Sequence, residues 1–544
     1  MSQLIHDSFF GRLLRHLSKG KLLPHEETKN PALIEQFTAV SPAPVEKTSP
    51  ERPASNASTL NPGDGELAEK GRDPNIVTWY GSDDPENPLN WSTSTKCAIT
   101  FELCYLTFAV YVGSSVYTAG IVDVMKDFGI GEIPATLPLT VFVLGFGLGP
   151  MTLAPLSEAP AIGRTPIYIW TLLAFVLLQI PVALSVDLPM LIVFRFITGV
   201  LGSPPLATGG ASIAEIFTPR KRGLAIGIWG VAAIFGPVFG PLLGGFAAQS
   251  KGWRWTIWEL MWISGLALII LFFFLPEVNA KNILYRRAHR LRRLTGNPRL
   301  MSEGEIAYKH VTVRKVAYLT VVRPWILTFT EPLVFLLHTW VALIFGLLFI
   351  WFTSFPLVFE GIYGFNPGQT GLSFLGLLVG ALCCIPPFIW YDRGVQRRMF
   401  DEGGHIMKPE QRLVPAMVTA ATIPLCLFWF GWSAQKDVHW IVPIIGTCFF
   451  AIGALIIVNA VLTYLPDAFP TEIPSVMAGS AFMRFSFGAA FPLFAPAMYH
   501  NLGIHWASSL LGFLGLAYVP IPFLFYFFGE KFRNASKRAR HTSS

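Results

Sequence analysis

The chain has 544 residues, of which 52% are hydrophobic and 14% are charged, and its mean hydropathy is +0.49. This apolar content excludes a soluble multidomain enzyme and indicates a protein that crosses a membrane many times. The formal net charge of +7 comes largely from basic loops on one side of the predicted membrane, so we expect no nucleic-acid partner. The six cysteines lack the spacing of a zinc site, and neither a metal nor a cofactor is expected.

Residues 1–90 precede the first long apolar stretch. They contain many Pro, Ser, Glu, Lys and Asn residues and no sustained apolar period, which is typical of a disordered segment. We therefore expect a mostly disordered tail that includes one short helix around Phe9 to Leu17.

Twelve apolar stretches follow, each long enough to cross a hydrocarbon core of roughly 30 Å as a helix of about 20 residues. They are continuously apolar, whereas the strands of a membrane barrel alternate at every second residue, so an all-α membrane protein is predicted. Only residues 186–189 separate the third stretch from the fourth, which leaves eleven as the alternative count. We name the stretches spans 1 to 12, with predicted bounds 97–120, 134–156, 165–186, 189–213, 223–248, 254–275, 332–356, 368–390, 412–433, 438–463, 473–497 and 505–528.

The longest internal loop, residues 276–331, divides the spans six and six. This division predicts two six-helix bundles, residues 91–275 and 332–528, with a short tail at 529–544. Two bundles of equal span number, joined by a long connector, are typical of transporters whose halves rock about a site at the midplane of the membrane.

Basic residues in the loops predict the orientation. Lys and Arg collect in the cytoplasmic loops of membrane proteins. Here they collect in the central loop and in the loops after spans 2, 4 and 8, whereas the opposite loops hold few of them. We therefore expect both termini in the cytosol.

The central loop also contains arginines at helical spacing. They are Arg286, Arg287, Arg290, Arg292 and Arg293. A surface helix that lies against anionic lipid headgroups and a solvated charged helix both fit this pattern.

Span 5 carries glycine at every fourth position within a Gly-Pro run. The run consists of Gly236, Pro237, Gly240, Pro241, Gly244 and Gly245. Glycines at this spacing leave one helix face without side chains, so a neighbouring helix can approach closely, and each proline removes a backbone donor and bends the helix. We expect span 5 to be a closely packed, kinked pivot.

Several further motifs follow one another along the chain. They are Asp84-Pro-Glu-Asn-Pro-Leu-Asn-Trp91 before span 1, Ala154 to Arg164 between spans 2 and 3, Arg195-Phe-x-x-Gly199-x-x-Gly202-Ser-Pro-Pro205 in span 4, Arg292-Arg-Leu-Thr-Gly-Asn297 in the central loop, Tyr464-Leu-Pro-Asp-Ala-Phe469, and Phe491-Pro-Leu-Phe494. Together with the Gly-Pro run, and in this order, they resemble the fungal drug/proton antiporters of the major facilitator superfamily, twelve-span group. The resemblance covers nearly everything after residue 83.

The resemblance implies the major facilitator fold and a proton-coupled exporter. Such an antiporter moves hydrophobic or cationic organic compounds, among them drugs, toxins and secondary metabolites, by alternating access. The implied partners are a small-molecule substrate, protons and the lipid bilayer. We expect a monomer, with the plasma membrane as its location and the vacuolar membrane as the alternative.

Three charged residues are candidates for coupling and gating. Arg195 is expensive within a hydrocarbon span, so it should face the bundle interior, and the resemblance implies a role in proton transfer; a structural arginine that caps helix ends is the alternative. Glu158 and Arg164 lie at the ends of spans 2 and 3, where an ion pair could hold the two bundles together in one state. An exposed pair contributes only about 0 to 1 kcal/mol, so this gate requires partial burial.

Proton coupling also requires a carboxylate that titrates near the working pH. Glu102 in span 1, Glu215 at the end of span 4 and Glu259 in span 6 are candidates. The alternative for Glu102 and Glu259 is an interfacial position, and for Glu215 it is a structural role beside Arg220 to Arg222. Arg484 in span 11 is a second buried cation, with Asp467 or Glu472 as its expected partner.

The substrate site should lie between the bundles and be lined by aromatic and a few polar groups. His338 in span 7 and Asn459 in span 10 could line this cavity or form hydrogen bonds between packed helices.

Two other functions fit the same sequence. One is a polyamine or nutrient carrier on the same fold, and the other is a membrane sensor that does not transport. Catalysis is not expected, because the chain contains neither a His-x-x-x-His cluster nor a Gly-x-Ser-x-Gly elbow.

Overall fold

A computed structural model of the protein is almost entirely helical. It describes residues 2–18, 21–25, 27, 73, 75–309, 312–396, 398, 408–470, 472–536 and 538–539. Residues 28–72, the middle of the expected disordered tail, lie outside these ranges.

Eleven helices in the described part of the chain are long and apolar enough to cross a membrane. They run Thr93–Phe128, Glu132–Glu158, Arg164–Ala183, Leu188–Ile216, Lys221–Lys251, Trp253–Phe274, Pro332–Glu360, Pro367–Gln396, Pro409–Ser433, Ile441–Ala468 and Ile473–Ala535. The last has 63 residues, which as a straight helix would be about 95 Å long. That is roughly three times the thickness of the hydrocarbon core, so it must contain more than one crossing.

The last helix reverses direction at Gly503. Its φ of 71° and ψ of 167° are readily adopted only by glycine. Just after this break, His505 Nδ1 lies 2.6 Å from the carbonyl of Gly431, near the end of span 9. At the other end, Arg533 Nε donates to Glu410 Oε1 at 2.7 Å, near the start of span 9. Spans 11 and 12 are therefore two antiparallel crossings, and the predicted twelve-span, two-bundle fold is confirmed.

Spans 3 and 4 are also separate helices. The third ends at Ala183 and the fourth begins at Leu188. Between them, the Asp187 side chain accepts a hydrogen bond from the backbone N–H of Met190 at 2.8 Å, which caps the new helix. The alternative count of eleven crossings is therefore wrong.

Several spans contain local breaks or tighter turns. Their segments are Thr93–Val112, Val116–Gly120 and Ile121–Phe128 in span 1, Leu188–Gly202 and Pro204–Ile216 in span 4, Pro332–Phe355 and Pro356–Glu360 in span 7, Pro367–Ser373, Leu375–Tyr391 and Asp392–Gln396 in span 8, Pro409–Leu413, Val414–Thr419 and Thr422–Ser433 in span 9, and Ile473–Tyr518 and Pro520–Ala535 in spans 11 and 12. Span 5, in contrast, lies within one helix, Pro219–Lys251, despite its two internal prolines.

The N-terminal segment and residues 280–309 of the central loop form a small folded unit on one face of the bundles, and the last loop helix packs on spans 7 and 11. We call this face the central-loop face. Its elements are the helices α1 (Ser2–Asp7), α2 (Phe9–Leu17), α3 (Ala280–Thr295), α4 (Glu303–Lys309), α5 (Val313–Ala317) and α6 (Arg323–Thr330), and the strands β1 (Ile76–Val77) and β2 (Met301–Ser302). The two strands pair in parallel. The short helix expected near residue 9 is present as α2.

The segment before span 1 is docked on α3. Val77 packs with Ala288, Leu291 and Leu300 in a small apolar cluster. Arg287 binds both carboxylate oxygens of Asp84, at 2.5 and 3.0 Å. The expectation of a disordered tail therefore does not hold for residues 75–90, because charges and apolar groups of α3, some 200 residues away along the chain, hold them in place.

Two arginines of α3 also differ from both expectations. Arg287 is only 1% exposed, and it donates to Glu86 Oε2 at 2.9 Å, as does Arg290. Burial alone would raise the pKa of Glu86, but its hydrogen bond to His25 and the charges of Arg290 and Arg287 hold that pKa well below its ordinary value. Arg287 and Arg290 therefore form ion pairs within the protein, and Arg292 pairs with Glu305, whereas Arg293 is exposed.

Candidate functional site

The two bundles meet near both faces and in the middle of the membrane. Near the face opposite the central loop, a Cβ added at Gly245 of span 5 would lie 2.5 Å from the carbonyl oxygen of Pro367 in span 8. Near the central-loop face, a Cβ at Gly227 of span 5 would lie 3.1 Å from the Phe388 ring of span 8. Span 5 therefore lies along the joint between the two halves.

The Gly-Pro run of span 5 allows this packing. Cβ atoms added at Gly236, Gly240 and Gly244 would lie 2.3, 1.9 and 2.3 Å from atoms of Tyr111, Ser115 and Val116 in span 1. These distances are shorter than any real contact, so only glycine fits at the three positions. The close approach predicted from the glycine spacing is present, and it joins span 5 to span 1.

Arg195 lies at the centre of the N-terminal bundle and is completely buried. Its Nη2 donates to the carbonyl of Gly113 at 2.9 Å and its Nε to the carbonyl of Pro138 at 3.4 Å. Its guanidinium also lies 4.4 Å from the centre of the Phe142 ring. Gly113 follows the last residue of the first helical segment of span 1, and helix ends leave carbonyls without intrahelical partners. Arg195 thus ties spans 1, 2 and 4 together through carbonyls and an aromatic face.

Arg164 is the centre of a charge cluster at the central-loop face. The side chain is 2% exposed, and its Nη2 donates to Glu158 at 2.7 Å and to Glu215 at 2.9 Å. Glu277, just after span 6, accepts from the backbone N–H groups of Arg164 and Thr165 at 3.2 and 3.3 Å. A carboxylate at the N-terminus of span 3 also complements the helix dipole.

This cluster corrects one detail of the predicted gate. The burial that the gate requires is present, but Glu158, Glu215 and Glu277 all belong to the N-terminal half or to the start of the central loop. The ion pair therefore holds spans 2, 3 and 4 to one another and to the loop, rather than holding the two bundles together.

Glu102 is buried in span 1, at 4% exposure. Its Oε2 has no hydrogen-bond partner among the described residues. An ionised carboxylate without a partner is costly at such a position. Glu259 in span 6 is half-buried, and its Oε2 likewise lacks a partner in the described part of the chain.

Arg484 lies at the contact between the halves. The side chain is 6% exposed, and its guanidinium lies 5.1 Å from the centre of the Phe345 ring. Its Nε donates to the carbonyl of Ser480 at 3.3 Å. The expected acidic partners are engaged elsewhere, since Asp467 accepts from Arg412 and Glu472 from Arg323.

The neighbouring Phe485 is the centre of an aromatic cluster that closes the middle of the interface. Its ring centre lies 5.4 Å from that of Phe146 in span 2 and 6.4 Å from that of Tyr111 in span 1. On its own side it lies 5.6 Å from Phe345 in span 7. We call Tyr111, Phe146, Phe345 and Phe485 the central aromatic cluster.

The two predicted polar residues of the cavity differ in position. His338 is fully buried, and its Nδ1 lies 3.1 Å from the hydroxyl of Thr328 in α6. A Cβ added at Gly479 of span 11 would lie 3.2 Å from its ring, so His338 packs between helices. Asn459 is half-buried on span 10.

Sequence reasoning missed two parts of this site. The aromatic residues of the central cluster could not be selected from 45 phenylalanines and 14 tyrosines by type or spacing alone. Glu277 belongs to no motif, although its place directly after span 6 put it on the same face as Arg164. That loop position was the one feature of the sequence that could have indicated a contact between Glu277 and the start of span 3.

Comparison with known proteins identifies the family. The sequence profile of the Major Facilitator Superfamily matches residues 103–492. The chain is 44% identical to "Transporter mfs1" of Schizosaccharomyces pombe, covering 85% of this chain and 88% of that protein. It is 38% identical to the "Cycloheximide resistance protein" of Candida maltosa, covering 99% and 100%, and 40% identical to "Fluconazole resistance protein 1" of Saccharomyces cerevisiae, covering 90% and 89%.

Solved structures support the same fold at lower sequence similarity. The proton:xylose symporter XylE bound to 6-bromo-6-deoxy-D-glucose matches with a TM-score of 0.58 and 15% identity, covering 80% of this chain and 96% of that structure. A partially occluded inward open conformation of XylE from E. coli matches with a TM-score of 0.55. With the profile match across most of the spans, these findings establish that the chain belongs to the major facilitator superfamily of membrane transporters.

Proposed function

We propose that this protein is a proton-coupled exporter that carries hydrophobic organic compounds out of the cytosol. The observation that carries the proposal is the central aromatic cluster, which places apolar ring faces from both halves at their contact in the middle of the membrane. Two near-full-length relatives are named for resistance to cycloheximide and fluconazole, which supports the same activity here.

The cargo binds where the central aromatic cluster separates. Phe485 contacts rings of both halves, so cargo enters when the halves part and its apolar surface replaces these ring contacts. Arg484 places a positive charge beside Phe485. No carboxylate oxygen of the described residues lies within 4.0 Å of its guanidinium nitrogens, since Glu472 and Asp467 pair with other arginines. A cation at the site favours uncharged cargo with hydrogen-bond acceptors over a polyamine.

Glu102 carries the coupled proton in this mechanism. Its buried, unpartnered oxygen suits a neutral carboxylic acid in one state. Deprotonation is favoured when the halves move and water reaches span 1. Arg195 holds the bend of span 1 through Gly113, eleven residues further along, and so connects this span to spans 2 and 4.

The Arg164 cluster keeps the N-terminal half rigid while the halves rock. Its ion pairs hold three helix ends and the start of the central loop in one arrangement. The moving joints are then the contacts of span 5 with span 8 and of span 2 with span 11.

We place the central-loop face and both termini in the cytosol, following the distribution of Lys and Arg. The plasma membrane is the proposed location, and the protein acts as a monomer. Export across that membrane lowers the cytosolic concentration of a toxicant, which matches the resistance named for the relatives.

Efflux from cells tests the activity. The chain is expressed in a yeast strain that lacks its own exporters, and tolerance to cycloheximide and to fluconazole is measured together with the cellular content of each compound. We expect higher tolerance and lower content, both lost on addition of a protonophore. Efflux that persists with the protonophore would refute the coupling, and competition by spermidine would favour the polyamine carrier.

Reconstituted vesicles test the assignment of the proton. Glu102→Gln should retain exchange of cargo across the vesicle membrane, because the halves still move, but lose accumulation driven by a pH gradient. The matched control is Glu259→Gln, which removes the half-buried carboxylate of span 6 and should retain both activities. Gradient-driven accumulation by Glu102→Gln would show that another group carries the proton.

A further inference from the structure

A basic cavity lies outside the transport path, between the N-terminal helix α2 and the loop helix α3. Its volume is about 400 Å³, and its walls include four arginines and two histidines. The arginines are Arg12, Arg15, Arg286 and Arg290. Nothing in the proposed transport cycle requires this cavity.

The acidic groups in its walls already have partners. Asp7 accepts from His6 at 3.1 Å, and Glu86 accepts from Arg287 and Arg290 at 2.9 and 2.8 Å. Glu277 accepts from two backbone N–H groups at the start of span 3. Their capacity to neutralise further arginines of the cavity is therefore small.

Two of the cavity arginines, in contrast, retain an unused donor among the described residues, namely Nη2 of Arg12 and Nε of Arg290. Arg12 donates its Nε to the carbonyl of Asp7 at 3.0 Å, whereas its buried Nη2 has no partner among the described residues. Arg286 has an ion pair with Glu277, but the separation is 3.9 Å. Burial and, next to it, the positive charge of Arg286 lower the pKa of Arg12 to about 9. Arg12 has no ion pair among the described residues and Arg286 has only this long one, so these two arginines carry positive charge that the protein does not fully neutralise.

The cavity also lies at the level of the membrane surface. Phe9 and Phe10 of α2 pack on Phe272 and Phe273 at the end of span 6, with ring centres 5.4 and 4.9 Å apart. Phe9 also contacts Trp170 of span 3 at 6.1 Å. These apolar contacts place α2 along the bilayer interface, with Arg12 and Arg15 directed to the cavity.

We propose that this cavity binds the phosphate group of an anionic ligand. Phosphate oxygens accept hydrogen bonds from several guanidinium groups at once, and Arg12, Arg15, Arg286 and Arg290 converge on a space large enough for a phosphorylated headgroup. The same chemistry is offered by a phosphoinositide of the adjacent leaflet and by a soluble organic phosphate. In both cases the ligand would fasten α2 to α3.

Native mass spectrometry of the purified full-length protein tests the site. The probes are phosphatidylinositol 4-phosphate, phosphatidylcholine, inositol 1,4,5-trisphosphate and inorganic phosphate, each titrated separately. We expect Arg12→Gln to weaken phosphoinositide binding on the order of tenfold, since it removes a charge-assisted contact. The control is Arg293→Gln, an exposed arginine of the same α3 helix that lies outside the cavity, and it should leave binding unchanged.

The outcomes separate the two sources. Binding of the phosphoinositide without binding of either soluble phosphate identifies a lipid site, whereas equal affinity for inositol trisphosphate identifies a soluble ligand. Equal binding by Arg12→Gln and Arg293→Gln, or equal binding of phosphatidylcholine, overturns the proposal. If Arg12→Gln lowers the melting temperature of the protein, Arg286→Gln is measured in its place and carries the same expectations.

Discussion

The glycine face of span 5 makes a sharp prediction about substitution by alanine. In Gly244→Ala, the added Cβ would lie 2.3 Å from the carbonyl oxygen of Val116 and 3.2 Å from its carbonyl carbon. Ordinary contacts begin near 3.4 Å, so span 1 and span 5 would have to separate by about 1 Å in a densely packed interior. Overpacking of this kind costs about 1 to 3 kcal/mol.

The control lies on the same helix. Gly230 has no atom within 4 Å of an added Cβ, and alanine in a helix is otherwise favoured over glycine by roughly 0.5 to 1 kcal/mol. Gly244→Ala should therefore lower the melting temperature and the rate of cycloheximide efflux, whereas Gly230→Ala should leave both unchanged or raise the melting temperature slightly. Equal behaviour of the two variants would refute the packing argument.

Three further predictions concern the N-terminal half. Gly163→Ala should reduce transport and stability by more than Gly129→Ala. Both glycines have positive φ, but only at Gly163 would the added Cβ meet a carboxylate, that of Glu277 at 2.5 Å. Similar melting temperatures of the two variants would contradict this. Arg195→Ala should abolish transport while the protein remains in the membrane, as measured by efflux and by surface labelling; near-normal efflux would remove it from the mechanism. The pKa of Glu86 lies below its unfolded value of about 4.5, so its stabilising effect is complete above that pH and is lost as the pH falls through the folded-state pKa. Hydrogen-exchange protection of residues 75–90 should decrease in that acidic range, and a pH-independent protection factor would count against the ion-pair cluster.

The span count and the two-bundle fold could be predicted because the thickness of the bilayer fixes the length of an apolar helix. The glycine spacing of span 5 likewise has a local cause, since four residues bring successive glycines to one helix face. The glycine face depends only on residues close together in the sequence, and the span length depends only on the thickness of the bilayer.

The partners of charged residues could not be predicted in the same way. Arg164 contacts Glu215 and Glu277, which are 51 and 113 residues away along the chain, and Arg287 contacts Asp84, 203 residues away. These contacts depend on how the bundles and the central loop pack in three dimensions. For that reason Glu215 and Glu277 were not recognised as partners of Arg164, and Arg287 was expected at the surface, whereas the predicted pair of Arg164 with Glu158, six residues away, is present.

Rocking of the two halves can be measured at the joint between spans 5 and 8. There, the Gln249 side chain accepts from the backbone N–H of Gly368 at 3.3 Å. In a cysteine-free variant that retains efflux, spin labels are placed at Gln249→Cys and Gln369→Cys, and distances are measured by pulsed electron paramagnetic resonance with and without cargo and at two pH values.

A second label pair, at Asp127→Cys and Arg254→Cys, reports on motion within the N-terminal half, where those two side chains form an ion pair at 2.8 Å. Alternating access predicts two distance populations for the pair across the joint, with proportions that change with cargo and pH, and a single constant distance for the pair within the half. One unchanging distance across the joint, in a protein that still exports cycloheximide, would contradict transport by rocking of two six-helix bundles.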